Sequence, residues 1–162
     1  MVSEPSGFRV EKARTNAVLT LTTGTSVAGS FFVARSGSAF PDPERVADLL
    51  NSEPGFFPFE VSHTDPPHTV LYNRSHIVTV MVPGDEARRD PDYAVATARR
   101  VSMRLTDGRQ IIGSVRVYRP LGRDRLSDWA RHGERFRYIE TVGATFIVNA
   151  DQIVDVREIA EP

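Results

Sequence analysis

The sequence contains no cysteine, and this absence excludes disulfide bridges, thiolate zinc sites and cysteine nucleophiles. A chain without cysteine fits a reducing compartment. The sequence also lacks an apolar run of the roughly 18 to 20 residues that a membrane-spanning helix needs. No apolar segment follows a basic N-terminus in the way of a signal peptide. From these absences we expect a cytoplasmic protein with no membrane partner.

Lysine is almost missing, because Lys12 is the only lysine among the 20 basic residues. The formal net charge of -1 hides an uneven distribution of charge along the chain. Residues 1–83 carry six bases and eight acids, residues 84–139 thirteen bases and eight acids, and residues 140–162 one base and five acids. Arginine favours forked contacts with phosphate and carboxylate. Since the arginine preference runs through the whole chain, we favour a compositional bias with solvated faces over an anion site.

What the sequence does contain is a pattern that occurs twice. Residues 71–80 and 147–156 each consist of a short apolar strand, a turn opened by Asn73 or Asn149, and a second strand. Three further pairs of segments match in the same order: 21–33 with 105–117, 45–49 with 125–129, and 56–60 with 136–140. The spacing between matched segments changes only within loops, where a few residues cost little closure entropy. The sequence therefore predicts an internal duplication.

Each repeat is predicted to hold five short strands, with a short helix between the second and third. Gly29, inside the strand at 26–34, predicts a bulge or sharp bend. Pro58 predicts that the strand at 56–61 lies at an edge or a bend. Asp42 is a candidate N-cap for a helix over 43–51, with Pro43 at its first position. A matching helix is expected at 124–132.

These elements predict a mainly β fold made of two tandem small barrels of the SH3-like or OB-like kind. The stretch 83–92 is dense in proline, glycine and charge, so we place the boundary between the two units there. The sequence predicts a flexible N-terminal arm at 1–12, a first barrel at 13–83, a linker at 84–95 and a second barrel at 96–160.

Two segments of the second repeat resemble the two sequence signatures of the Sm-like (Lsm) family. Residues 105–118 are similar to the first signature, a strand with a charged turn followed by a bent strand through Gly113. Residues 146–156 are similar to the second signature, and 21–33 and 71–80 resemble the same signatures more loosely. The resemblance implies a tandem Sm-like protein of bacterial type, built from SH3-like barrels.

The resemblance also implies how such units associate. In Sm-like proteins the fourth strand of one subunit pairs with the fifth strand of the next, so the two repeats are expected to dock in this way. The remaining strand edges are then expected to recruit further copies. The family's RNA site is not implied, because Asn149-Ala150 and Asn73-Arg74 replace its Arg-Gly pair and helices replace its first RNA-reading loop.

Two groups of residues are candidates for binding. The first lies in a basic and aromatic stretch of the second repeat that also contains Arg119, Arg123 and Arg125, and it could neutralise phosphates and stack on bases: Arg116, Tyr118, Arg131, Arg135 and Arg137. The alternative, which we favour, is that Trp129 anchors its helix in the core and that these arginines pair with Asp124, Asp128 and Glu134. The second group is Asn73, Arg74 and Asn149, where a short amide can bond its own backbone and tolerate a left-handed conformation without any ligand.

No catalytic or cofactor motif stands out. His63 and His68 share one loop with Asp65, but the second repeat has no counterpart to these histidines, so we expect no metal site. We expect no cofactor and no enzymatic activity. The predicted function is an interaction module that binds protein partners or associates with itself through strand edges. The alternative is binding of RNA or single-stranded nucleic acid through the arginine-rich face of the second repeat.

Overall fold

The computed structural model describes residues 12–35, 43–120 and 122–160. The fold over these residues is mainly β, as the sequence predicts. The strands are β1 (Lys12–Leu21), β2 (Ser26–Ala34), β3 (Phe56–Val61), β4 (His68–Asn73), β5 (Ile77–Val82), β6 (Thr97–Leu105), β7 (Gln110–Val117), β8 (Phe136–Thr141), β9 (Ala144–Asn149) and β10 (Ile153–Glu158). The α-helices are α1 (Val46–Ser52) and α2 (Leu126–His132).

All ten strands join one open antiparallel sheet in the order β10-β6-β7-β8-β9-β5-β1-β2-β3-β4. The expectation of two separate barrels is therefore corrected to one continuous sheet. The sheet is continuous because β5, the fifth strand of the first half, pairs with β9, the fourth strand of the second half. We call this pairing the seam. Fourth-to-fifth strand docking between the halves is what the sequence resemblance led us to expect.

The two halves repeat the same strand register. Ala17 pairs with Gly29 in the β1–β2 hairpin, and Val101 pairs with Gly113 in the β6–β7 hairpin. The β1–β5 and β6–β10 pairs also share a register shift at the same place, next to Leu21 and Leu105 respectively. A residue at the matching place in the other half is called its counterpart below.

The glycine in each second strand lies where another strand crosses closely. A Cβ atom on Gly29 would lie 2.1 Å from the carbonyl oxygen of Glu60, and one on Gly113 would lie 2.4 Å from that of Glu140. No side chain fits at such a distance, since the obstacle is backbone. This close approach is the physical reason for the glycine that the sequence places inside each strand.

The helices begin later than the sequence suggests. Arg45 is the N-cap of α1 and Arg125 is the N-cap of α2. The backbone N–H of Arg45 donates to the carboxylate of Asp48, and that of Arg125 donates to the carboxylate of Asp128. Pro43 is therefore not in α1, and Asp42 lies outside the described residues. The backbone N–H of Glu44 donates to the carbonyl of Ala34, which keeps this segment extended beside the end of β2.

Pro58 lies inside the sheet order rather than on an edge strand, because β3 runs between β2 and β4. However, β2 pairs only with the stretch Phe59–Val61 of β3. Pro58 comes just before this paired stretch, so its missing N–H leaves no gap in the β2–β3 ladder. The prediction of a bend, rather than an edge, is the one compatible with this position.

The hydrophobic core consists of two clusters, and each cluster includes side chains from the other half. Phe136 and Ile147 of the second half are buried in the first-half cluster. Val78 of the first half is buried in the second-half cluster. The seam is therefore an interlocked hydrophobic interface as well as a backbone ladder.

The segment predicted as a linker, residues 84–95, connects β5 to β6 and contains a short 3-10 helix at Ala87–Arg89. It is not fully solvated, because Glu86 and Ala87 are buried. Among the described residues, no helix is both long and apolar enough to cross a membrane.

Candidate functional site

The turn before β10 supplies a polar contact across the seam. Asn149 is fully buried, and its side-chain amide donates to the carbonyls of Arg74 (3.3 Å) and Ile77 (2.9 Å) in the first half. Its side-chain oxygen accepts from the backbone N–H of Asp151 at 3.0 Å. Asn149 is thus a structural residue of the seam, with none of its surface available to a ligand.

Asn73 makes the same local turn at the free end of the sheet. Its side-chain oxygen accepts from the backbone N–H of Ser75 at 3.0 Å. The expected bond to the local backbone is present in both turns. The left-handed conformation is not, since φ is -84° at Asn73 and -80° at Asn149, so each asparagine caps a 3-10 helix from an extended conformation.

Arg74 is buried and serves the C-terminal end of α1. Its guanidinium donates to the carbonyls of Leu49 (3.1 Å), Leu50 (2.9 Å) and Phe56 (2.8 Å). The last carbonyls of a helix lack intrahelical partners, and these bonds satisfy two of them. Burial lowers the pKa of Arg74. This arginine is occupied by main-chain acceptors and cannot contact a ligand at the surface.

A cleft of about 320 Å³ lies between α1 and the second half. Of the predicted binding residues, Arg116, Tyr118 and Arg137 line it. Tyr118 is partly exposed, and burial of the rest of its side chain raises its pKa to about 12. These three residues lie on one wall of the cleft, and the opposite wall comes from Arg45, Ala47 and Asp48 of the first half.

The arginines of the cleft are already engaged. Arg116 stacks on the ring of Tyr93 at 3.7 Å, donates to the carbonyl of Tyr93 at 3.1 Å, and lies 3.7 Å from the carboxylate of Glu140. Arg45 forms two bonds of 3.1 Å with Asp48. These contacts consume most of the positive charge that an anionic ligand would need.

Arg137 stacks on Trp129 with 4.6 Å between the guanidinium carbon and the ring centroid, and it donates to the carbonyls of Trp129 and Glu134. Trp129 itself is buried in the second-half cluster, as the alternative interpretation of this stretch predicted. Asp128 pairs with Arg125 of the same basic stretch at 3.8 Å, as that interpretation predicted, whereas Asp124 pairs with Arg99, which lies outside the stretch.

The other two candidate arginines lie outside the cleft. Arg135 is at the seam, with its guanidinium 2.9 Å from the carboxylate of Asp151 and 3.2 Å from the hydroxyl of Ser75. Arg131 is exposed on α2. The five residues of the predicted basic and aromatic face therefore do not form one continuous surface.

The histidines make local contacts. His68 is 2.8 Å from the hydroxyl of Thr64, and His76 is 2.8 Å from the hydroxyl of Thr22. Across the part of the chain that the structure describes, no group of three histidine or acidic side chains is placed to hold a metal ion.

The two ends of the sheet are open edges. Within residues 12–35, 43–120 and 122–160, β4 pairs only with β3 and β10 pairs only with β6, so each of these strands has one side without a neighbouring strand. Large apolar side chains are exposed there, namely Phe56 and Leu71 at the β4 end and Val154 at the β10 end. Sequence reasoning predicted open edges but did not name these residues. No sequence signal could have found them, because Leu71 and its buried match Ile147 occupy equivalent places in similar segments.

Comparison of the chain with protein-family models, with curated proteins and with solved structures finds no significant match. The functional assignment therefore rests on the geometry of the seam, the cleft and the two free edges.

Proposed function

We propose that this chain is a non-enzymatic interaction module whose working surfaces are the free edges β4 and β10. The observation that carries the proposal is that neither edge has a strand partner among the described residues, while Leu71 and Val154 are exposed there. An edge strand presents unpaired N–H and C=O groups that pair readily with another strand. Added strands gain affinity from these main-chain bonds and specificity from alternate side chains.

The usual protection against edge pairing is weak at both ends. Proteins block edges with proline, lysine, bulges or covering loops. Neither β4 (HTVLYN) nor β10 (IVDVRE) contains a proline or a lysine. β10 does carry charge and one register shift against β6, but Asp155 is held by Arg104 and Glu158 lies 3.4 Å from Arg99, so only Arg157 is a mostly exposed charge on this strand. Both edges therefore remain suited to an incoming strand.

We further propose that each half derives from a five-stranded unit of Sm-like type and that the protein works in the cytoplasm. The support is the repeated strand order, in which the fifth strand precedes the first in both halves, and the fourth-to-fifth strand pairing at the seam. The repeated register supports descent from a duplicated unit. Partners are then protein strands, and no cofactor is required.

Site-specific photo-crosslinking tests this function. A photoreactive phenylalanine analogue is placed in cells at Leu71 or at Val154, with Val142 as the control because it is 99% exposed at the β8–β9 turn. We expect protein-protein crosslinks from the two edge positions and none from the turn. Equal yields at all three positions, or no crosslink at either edge, would count against edge binding.

Nucleic-acid binding through the second half is the second candidate. The observation that favours it is the cleft, where the partly exposed Tyr118 lies with Arg116 and Arg119. Such groups could stack on a base and contact phosphate. A gel shift with a mixed RNA pool at about 50 and 200 mM salt should show salt-sensitive binding that Tyr118→Ala and Arg119→Glu weaken. The absence of a shift at the lower salt removes this candidate.

A further inference from the structure

The cleft between α1 and the second half has the features of a binding site for a small molecule. We propose that it takes a ligand that combines a planar ring with a single carboxylate. The guanidinium of Arg137 binds the carboxylate, and the ring of Tyr118 stacks on the ring of the ligand. No residue of β4 or β10 lines the cleft, so this site goes beyond the edge function proposed above.

The cleft lies where β7 and β8 stop pairing. In the first half, β2 and β3 pair over three consecutive positions. In the second half, β7 and β8 pair at a single position, Ser114 with Glu140. Residues 116–118 and 136–138, which lie beyond this pair, line the cleft. Its volume of about 320 Å³ falls within the range of about 300–1,000 Å³ that is typical of small-molecule sites.

The side chains of the cleft depart from the repeat. Three of them differ in chemical class from their counterparts: Arg137 from Phe57, Gly133 from Glu53, and Tyr118 from Ala34. Phe57 is buried in the first-half core, whereas Arg137 carries a charge at the wall of a cavity. The two halves therefore differ where the cleft forms, as expected if this place has a role that the first half lacks.

Arg137 is a cation without a carboxylate partner among the described residues. Its guanidinium donates to the carbonyls of Trp129, Gly133 and Glu134. These bonds use three of the five N–H groups of a guanidinium and leave two. Burial lowers the pKa of Arg137, although the carboxylate of Glu134 acts in the opposite direction. A bound carboxylate supplies the missing countercharge, and its two oxygens can accept from the two remaining N–H groups.

Gly133 makes room for this guanidinium. A Cβ atom at residue 133 would lie 2.6 Å from the Cζ atom of Arg137 and 2.7 Å from its Nε atom. The φ angle of Gly133 is -91°, which other residues adopt readily, so the glycine is needed for space and not for its backbone conformation. The guanidinium is thus held between the backbone of Gly133 and the ring of Trp129, at the wall of the cleft.

The acidic residues of the cleft limit the charge of the ligand. Five carboxylates line the cleft, and four of them are engaged within the protein: Asp48 and Asp90 by Arg45, Asp128 by Arg125, and Glu140 by Tyr93 and Arg116. The fifth, Glu134, is exposed. Like charges repel, so this set of carboxylates disfavours a ligand with several negative charges. A single carboxylate at Arg137 is compatible with it.

Tyr118 supplies the surface for a planar ring. The rings of Tyr93, Tyr138 and Trp129 are each already covered by an arginine. Tyr118 is 44% exposed, and none of the described arginines or aromatic rings stacks on it. Burial of the rest of its side chain raises the pKa of Tyr118 to about 12, so the hydroxyl is neutral at neutral pH and does not repel an anion. A flat ring can therefore stack on Tyr118 in the offset arrangement that aromatic pairs prefer.

A nuclear magnetic resonance titration with benzoate tests the site. The reporter is the indole N–H signal of Trp129, because this residue is the only tryptophan and lines the cleft. Benzamide has the same ring without the charge, and cyclohexanecarboxylate has the charge without the planar ring. We expect a saturable shift with benzoate and binding of each analogue that is about tenfold weaker.

Gly133→Ala and Arg137→Gln test the role of the guanidinium. The new Cβ atom of Gly133→Ala displaces the end of a flexible side chain, so the fold should persist while the carboxylate contact is lost. In both variants benzoate should bind about tenfold more weakly, with benzamide binding unchanged. Gly84→Ala is the matched control, since Gly84 does not line the cleft and its nearest neighbouring atom would be 3.7 Å away. Circular dichroism checks that all variants are folded.

Tyr118→Ala tests the role of the ring. This variant should weaken benzoate and benzamide binding by the same factor, because it removes stacking and leaves the guanidinium in place. Loss of benzoate binding alone would contradict the stacking role and favour an effect of Tyr118 on charge.

The contrary results are distinct from one another. A benzoate titration without a saturable shift at Trp129 overturns the site. Equal affinity for benzoate and benzamide, or benzoate binding that survives both Gly133→Ala and Arg137→Gln, overturns the carboxylate ligand. Displacement of benzoate by a mixed RNA pool that binds more tightly overturns the small-molecule site in favour of nucleic acid. The crosslinking experiment tests the edges separately, so the edge function can stand or fall without this site.

Discussion

At the residue scale, arginines that the sequence suggests are solvated form hydrogen bonds to main-chain carbonyls within the fold. Arg74 satisfies carbonyls at the end of α1 from the turn after β4. Arg137 satisfies carbonyls at the end of α2, but it does so from strand β8. The two halves thus solve the same helix-end problem with arginines at non-matching positions. Most guanidiniums of the predicted binding face are therefore bonded to the protein itself.

Gly29→Ala should destabilise the fold because the new Cβ atom would lie 2.1 Å from a backbone oxygen. Overpacking of this kind costs about 1–3 kcal/mol, and β2 and β3 would have to separate locally. Urea unfolding measures the loss. The control is Gly84→Ala, where the nearest atom is the end of the Arg88 side chain at 3.7 Å. Equal stability of the two variants would show that the strands do not cross so closely.

The tyrosines should make the folded protein sensitive to alkali. Burial raises the pKa of all four tyrosines, and that of Tyr118 rises to about 12. An unfolded chain releases these protons near pH 10, about the ordinary tyrosine pKa, while the folded chain still holds them. Stability is therefore unaffected below about pH 10 and falls as the pH rises toward about 12.

Unfolding midpoints and tyrosinate absorbance, both measured from about pH 9 to 12, check this behaviour. Tyr118→Phe should make the loss of stability less steep, because it removes one of the raised groups. Full tyrosinate absorbance at about pH 10 in the folded protein would contradict the prediction.

At the element scale, the segment between β5 and β6 acts as a clamp rather than a spacer. The carboxylate of Glu86 accepts a hydrogen bond of 2.8 Å from the backbone N–H of Val46, the first residue of α1. It also accepts a hydrogen bond from the hydroxyl of Tyr138 in β8. Arg89 pairs with the same carboxylate and also reaches the carbonyl of Pro43. One buried carboxylate thus ties together the connecting segment, a helix of the first half and a strand of the second.

Glu86→Ala should loosen this clamp. The N–H of Val46 and the hydroxyl of Tyr138 would lose a buried acceptor, and each unsatisfied group costs about 1–3 kcal/mol. Glu86→Gln keeps an acceptor and should lose less stability. Hydrogen exchange should show faster exchange in α1 and β8. Asp85→Asn is the control, as this neighbouring side chain is mostly exposed; a similar loss there would contradict the clamp.

At the scale of the whole molecule, the two halves share one sheet and an interlocked core. Each core cluster contains side chains from the other half, and the sheet runs without a break through the seam. Neither half can unfold without exposing apolar surface of the other. A single unfolding transition is therefore expected, with the fluorescence of Trp129, the only tryptophan, following the far-ultraviolet circular dichroism.

Ile147→Ala and Leu71→Ala form a matched pair that tests this cooperativity. The two residues are counterparts, but Ile147 is buried at the seam and Leu71 is exposed. Truncating a buried isoleucine costs about 2–5 kcal/mol, whereas the exposed leucine should cost little in the monomer. Chemical unfolding at low protein concentration gives both values. Two separate transitions in the Ile147→Ala variant would contradict a single cooperative unit.

The repeated pattern of strands, turns and glycines was readable from the sequence because local rules govern it. Alternating apolar residues and turn asparagines report the local backbone, and β2 and β3 have the predicted limits. Gly29 predicted a bulge or a sharp bend, but the β1–β2 register runs through it without a shift, and what requires the glycine is a backbone oxygen of β3, a contact distant in sequence. The start of α1 was missed, because the carbonyl of Ala34 holds Glu44 in an extended segment and this contact is not local in sequence.

The sequence by itself determined the mainly β class and the two equivalent sets of elements, since strand periodicity and turn chemistry depend on neighbours along the chain. Only the tertiary structure decided which edge is used and which is free. Ile147 and Leu71 occupy equivalent places in similar segments, yet one is core and the other is surface. That difference depends on which strand lies across the edge, which is fixed by packing between the halves and not by any residue nearby.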